Sequence, residues 1–119
     1  MSAFSNAREN DDSFAIEEFP KYFFRGGFYE WGKLLIKPGD TFDEHYHEEV
    51  EETFYVLSGD QIETRSNGST FTLTEGDAVK FAPKETHGFT NRGTRDCIFI
   101  FIKAPFLPED KVMVDRVLS

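Results

Sequence analysis

Residues Pro38 to Asp60 read PGDTFDEHYHEEVEETFYVLSGD, and their reading decides the fold. His45 and His47 flank Tyr46 in a stretch that opens on the turn residues Pro38 and Gly39. On an extended strand alternate side chains leave the same face, so both imidazoles point into one cavity. Tyr46 then faces away from that cavity and is expected to pack against neighbouring structure. Glu51 and Glu52 lead into Thr53 to Leu57, an aromatic and β-branched run that favours strand, closed by Ser58, Gly59 and Asp60. A carboxylate at the mouth of that strand can meet the two imidazoles. Two neutral imidazoles and one carboxylate form a donor set that divalent first-row metals accept.

A third histidine, His87, stands in Gly76 to Asn91, GDAVKFAPKETHGFTN. An HxH pair alone is a weak signal, because histidines are often solvated or satisfied by a hydrogen bond in the core. Here all three histidines of an acidic chain lie in strand-like segments beside glycine turns, a convergence that random scatter does not require.

These residues resemble the two motifs of the cupin superfamily. The first motif, G(x)5HxH(x)3-4E(x)6G, is matched by Gly39, His45, His47, Glu52 and Gly59 without a gap. The spacing to Gly59 selects Glu52 over Glu51, which is the fallback ligand if the strand register differs. The second motif, G(x)5PxG(x)2H(x)3N, keeps its outer spacing in Gly76, His87 and Asn91 and departs in the middle. Ala82 occupies the proline position, Pro83 follows it, and Lys84 stands where glycine is expected.

The resemblance implies an all-β fold, the cupin-type jelly-roll β-barrel or double-stranded β-helix. It implies a metal site of His45, His47, Glu52 and His87 holding a divalent transition metal, whether iron, manganese, nickel or zinc. The implied function is a metal-dependent enzyme acting on a polar small molecule, with dioxygenase-type oxidation ahead of isomerase, lyase or decarboxylase chemistry. A ligand- or metal-binding barrel without turnover is the alternative. Four protein ligands leave up to two positions on an octahedral ion, enough for substrate and one further ligand. The pattern singles out no catalytic residue beyond these donors and no other cofactor site.

Composition sets the outer limits. A chain of 119 residues is one domain by length, and fourteen phenylalanines argue against disorder. The formal charge of -9 repels phosphate backbones and anionic lipid surfaces, so nucleic acid and membranes are disfavoured as partners. A single cysteine, Cys97, excludes an internal disulfide, and MSAFSNARENDD lacks a basic region followed by an apolar run. The expected setting is a reducing cytoplasm. Residues 1–13 read as a flexible N-terminal arm and residues 14–119 as a single barrel domain.

In chain order, Gly26 and Gly27 punctuate the chain before a strand over Phe28 to Lys37. Asn67-Gly68 signals a hairpin joining Gln61 to Arg65 with Thr70 to Leu73. Strands are also expected over Ala78 to Ala82, His87 to Thr90 and Cys97 to Ile102. The run Ile98 to Ile102 does not alternate in polarity, so both its faces are expected to be buried. Cover from Phe14 to Phe24 competes with a second subunit, and the resemblance favours a homodimer. Glu44, Glu48, Glu49 and Glu51 read as a solvated acidic loop. Phe54, Phe81, Phe89 and Trp31 could line the cavity or fill the core, and Lys84 could reach a substrate carboxylate or stand exposed. The tail after Pro105 fits a short helix or an edge strand.

Overall fold

The computed structural model describes residues 20–114. The expected N-terminal arm of residues 1–13 and the end of the chain from residue 115 lie outside the described residues. Ten strands form: β1 (Lys21–Gly26), β2 (Tyr29–Ile36), β3 (Thr41–His47), β4 (Glu51–Ser58), β5 (Ile62–Ser66), β6 (Ser69–Leu73), β7 (Ala78–Phe81), β8 (His87–Asn91), β9 (Cys97–Ala104) and β10 (Lys111–Met113). They make two five-stranded sheets in the orders β1-β2-β9-β4-β7 and β10-β3-β8-β5-β6, with every pair antiparallel. This is a jelly roll, as expected. Among the described residues no helix is long and apolar enough to cross a membrane.

The core lies between the sheets. Leu34, Ile36, Phe54, Val56, Phe81, Phe99 and Phe101 enter it from the first sheet, and Ile62, Leu73 and Phe89 from the second. Its aromatic rings meet edge to face or tilted: Phe54 packs on Phe89 at 4.9 Å between centroids and on Phe99 at 5.3 Å. Burial follows a period of two even where polarity does not. On β9, Cys97, Phe99 and Phe101 are buried, Ile98 and Ile100 are half-buried, and Ile102 is 45% exposed. The expectation of two buried faces is corrected accordingly. Among the described residues the outer face of this strand is only partly covered, and residues 14–19 of the expected covering segment lie outside them.

Local chemistry sets the turns. The hairpin between β5 and β6 turns on Asn67 and Gly68, both with positive φ (49° and 82°), the conformation that a two-residue hairpin of type I′ requires. The tail resolves as an edge strand: β10 pairs with β3 in the register Lys111 to His47 and Met113 to His45. Trp31 stands opposite Ile102 on the outer face, where it packs against Phe23 and Phe24 and is turned away from the interior between the sheets.

Candidate metal centre

Three elements bring the predicted residues together. β3 supplies His45 and His47, β8 supplies His87 directly opposite His45, and β4 supplies Glu52 from the other sheet. All four are buried, and their ligand atoms lie within 4.8 Å of one another. A first-row ion with bonds of about 2.1 Å spans donors at nearly that spread. Glu51 points outward, exposed, with its carboxylate 3.8 Å from Lys80, and takes no part in the cluster.

The backbone of β3 departs from a plain strand. Between Phe42 and His45 the pairing with β8 slips by one residue, a bulge that places both on the inner face although they are three apart. Phe42 then packs edge-on against the His45 ring, 5.2 Å between centroids. His87 is fixed by Phe81, stacked on it at 4.4 Å and 10°, and by the edge of Phe54. The turn before His87 keeps its shape without glycine. Lys84 has φ of 73°, and Glu85 N–H donates to Ala82 C=O at 3.1 Å, as in a type II turn with Pro83 in the position that favours proline. Lys84 N–H in turn donates to His47 C=O at 2.6 Å, tying this turn to β3. The Lys84 side chain is exposed and lines no part of the recess over the cluster. Asn91 closes the motif structurally: its amide donates to Ile36 C=O and Arg95 C=O, and its oxygen accepts from Gly93 N–H.

The protons in the cluster decide what it can hold. His47 Nε2 and His87 Nε2 lie 3.0 and 3.1 Å from Glu52 Oε1, and His45 Nε2 lies 3.9 Å away. Burial pushes the Glu52 carboxyl up, yet the three imidazoles and Lys103 outweigh it and hold the group well below the usual carboxylate range. A carboxylate therefore sits at the centre. On the outer side of their rings, His45 Nδ1 contacts Asp43 C=O at 3.1 Å and His87 Nδ1 contacts Glu85 C=O at 3.2 Å. A carbonyl only accepts, so with an ion in place these contacts would hold the single proton of each neutral ring at Nδ1 and free the Nε2 lone pair to coordinate. In the ion-free cluster Nε2–H donates to Glu52 instead. Lone pairs facing a carboxylate oxygen repel unless a second proton or a cation stands between them. Burial, the largest cause, lowers the His45 pKa and disfavours the second proton there. The donor set thus fits a divalent ion.

Above the cluster is a recess of about 550 Å³ counting its open mouth, walled by Tyr22, Phe42, Phe54, Phe101 and Leu107. Phe54 does line it, whereas Phe81 packs on His87 and Phe89 belongs to the core. Sequence reasoning missed three polar residues of the recess, Tyr22, Lys103 and Lys111. Their signal lies in cross-strand register, which a linear reading does not contain.

Over residues 32–103 the chain matches the family model of a cupin domain, and it belongs to that family. It is 31% identical over 78 residues to the polyketide synthase CurC of Streptomyces cyaneus, covering 66% of this chain and 50% of that protein. It is 26% identical over 81 residues to the tetracenomycin polyketide synthase protein TcmJ of Streptomyces glaucescens, covering 68% and 54%. The chain thus spans about half the length of these relatives. A crystal structure of an uncharacterized conserved protein with a double-stranded beta-helix domain from Klebsiella pneumoniae superposes with a TM-score of 0.74 at 22% identity. That match covers 87% of this chain and 96% of the other, and it is a likeness of fold.

Proposed function

We propose that the chain is a metal-dependent enzyme acting on a polar small molecule, with a divalent transition ion held by His45, His47, His87 and Glu52. The observation that carries this reading is the convergence of three imidazole nitrogens on one buried carboxylate oxygen, with backbone carbonyls placed to hold the Nδ1 protons of His45 and His87. When bound, such an ion supplies Lewis-acid stabilisation of negative charge, and a redox-active one adds electron transfer. The chain's own residues do the rest. Glu52 cancels part of the charge, the carbonyls of Asp43 and Glu85 hold the rings in one tautomer, and Phe42, Phe54 and Phe101 shed water from the recess. Iron or manganese would point to oxidation by dioxygen, while nickel or zinc would point to isomerase, lyase or decarboxylase chemistry. Both relatives carry polyketide synthase in their names, which fits a carbonyl-rich substrate. The buried free Cys97, its thiol pushed up to about 12 by burial, fits the reducing cytoplasm.

Elemental analysis of protein purified without a histidine tag or chelator tests this, repeated on Glu52→Ala and His87→Ala. About one transition ion per chain, lost in both variants, is the expected result. A wild type that is empty and refuses added iron, manganese, nickel and zinc would leave a ligand-binding barrel instead.

A further inference from the structure

The recess carries a second set of charges that the four donors do not use. Lys103 on β9 stands directly across from Glu52 on β4 and from Glu30 on β2, and Lys111 on β10 stands across from His47. Directly paired residues share a face, so the two ammonium groups come to the recess from opposite sheets. Lys103 is largely withdrawn from water, while Lys111 is exposed on its edge strand and lies against the recess wall. Lys103 Nζ donates to the Tyr22 hydroxyl at 2.7 Å, lies 3.9 Å from Glu30 Oε1, and sits 5.5 Å from the Phe101 centroid. Lys111 Nζ sits 5.2 Å from the Phe42 centroid. Lysines at a rim usually turn their heads outward, so one held inward at the recess with a second lining it, on a chain of formal charge -9, points to an anionic occupant.

The local charges favour an anion. Glu30 is buried and shared between Arg25, at 3.4 Å, and Lys103. Arg25 and Glu30 cancel, Glu52 and Asp43 offset the two lysines, and a divalent ion would leave the recess with two net positive charges. Tyr22 accepts from Lys103 and keeps its own O–H to donate, polarised by the ammonium beside it.

We propose that Lys103, Lys111 and the Tyr22 hydroxyl form an anion subsite that grips an anionic oxygen of the substrate, a carboxylate or an enolate, with the apolar body of that molecule on Phe42, Phe54, Phe101 and Leu107. It deepens the enzyme reading above and rests on it for the role of substrate. The same charges would stabilise negative charge growing on an enolisable carbonyl compound.

The test titrates benzoate as the carboxylate probe, acetylacetone as the enol-forming probe and benzamide as the neutral control into the full chain, followed by calorimetry. It is run on the protein as purified and after chelation, in wild type, Lys103→Met, Lys111→Met and Lys103→Arg. Benzoate is expected to bind at least about tenfold more tightly than benzamide, and each Met variant to weaken it by about tenfold with the metal content unchanged. Lys103→Arg should keep most of the affinity. Acetylacetone losing affinity in the same variants assigns the subsite to enolates as well; an acetylacetone affinity indifferent to the lysines assigns it to carboxylates. Lys103→Met leaves Glu30 with less charge around it, so Lys111→Met, on an edge strand, carries the test if that variant unfolds. A wild type that binds no benzoate, or folded Met variants that bind it undiminished, overturns the subsite. Lysine-dependent binding to a wild type that purifies empty and refuses added iron, manganese, nickel and zinc keeps the subsite and removes the metal reading; lysine-independent binding to an ion-loaded wild type removes the subsite alone.

Discussion

Lys84 holds a left-handed backbone, φ 73°, where the motif carries glycine. A side chain there costs about 1 kcal/mol through contact of Cβ with the backbone. Pro83 offsets part of that by presetting the turn, and the hydrogen bond from Lys84 N–H to His47 C=O keeps the conformation in place. Lys84→Gly should therefore raise stability by about 1 kcal/mol, read from the urea midpoint, without changing metal content. A lower midpoint would mean that the lysine side chain contributes what its exposure does not suggest. Protonation gives a second expectation. In the ion-free protein the folded pKa values of both His45 and Glu52 lie below their ordinary values of 6.5 and 4.5, so the unfolded chain binds protons that the native state resists. Stability present at neutral pH is lost as pH falls, first below about 6.5 through His45 and then through the depressed Glu52 value. Urea unfolding between pH 8 and pH 4 should show a falling midpoint. A profile that stays flat through pH 5 contradicts the His45 shift.

At the level of elements, the loop between β3 and β4 sets the distance from His47 to Glu52. Its backbone is held from far along the chain: Asp110 Oδ2 accepts from Glu49 N–H at 2.8 Å and from Val50 N–H at 2.9 Å. Those bonds hold the Asp110 carboxyl below its ordinary range against the opposing effect of burial. Asp110→Ala should cost about 1–2 kcal/mol and weaken ion retention in competition with a chelator. Unchanged retention would show that the strands fix the loop unaided. This dependence explains what was legible in the sequence. HxH on a strand, the interval to Glu52, the Asn-Gly hairpin and the twelve-residue interval to His87 are local, and each was readable from spacing. Phe42 was not, because strict alternation turns it away from His45 and only the bulge returns it. Lys103 and Lys111 were not, because register pairs them with Glu52 and His47 across strands distant in sequence. The tail stayed open between a short helix and an edge strand because β10 is three residues long and held by backbone pairing. Trp31, open between cavity and core in the sequence, lies on the outer face instead: an aromatic on a strand has two faces to choose from, and composition does not say which.

At the scale of the whole molecule, the outer face of the first sheet shows Tyr55, Leu57 and Ile102 exposed beside the half-buried Ile98 and Ile100. Cross-strand register places Ile100 beside Tyr55 and Lys33, and Ile102 beside Thr53 and Trp31, so most of these form one patch. An apolar patch of this kind on a sheet marks an association surface, and we propose a homodimer through it. Sedimentation of the full chain should give twice the chain mass, and Ile100→Asp with Ile102→Asp should return it to the monomer with the fold retained. A wild type that sediments as a monomer removes the dimer.

The four donors do not belong to one sheet: the histidines stand on β3 and β8, and Glu52 stands on β4 across the interior. Whatever cation they hold would act as a clasp between the two layers, while β1 and β6, at the opposite edges of their sheets from β7 and β10, carry none of its donors. Breathing of the two layers would then be lopsided. Backbone amides of β3, β4 and β8 should exchange with solvent deuterium faster once the clasp is opened by a chelator, and those of β1 and β6, which pair with no donor strand, should keep their pace.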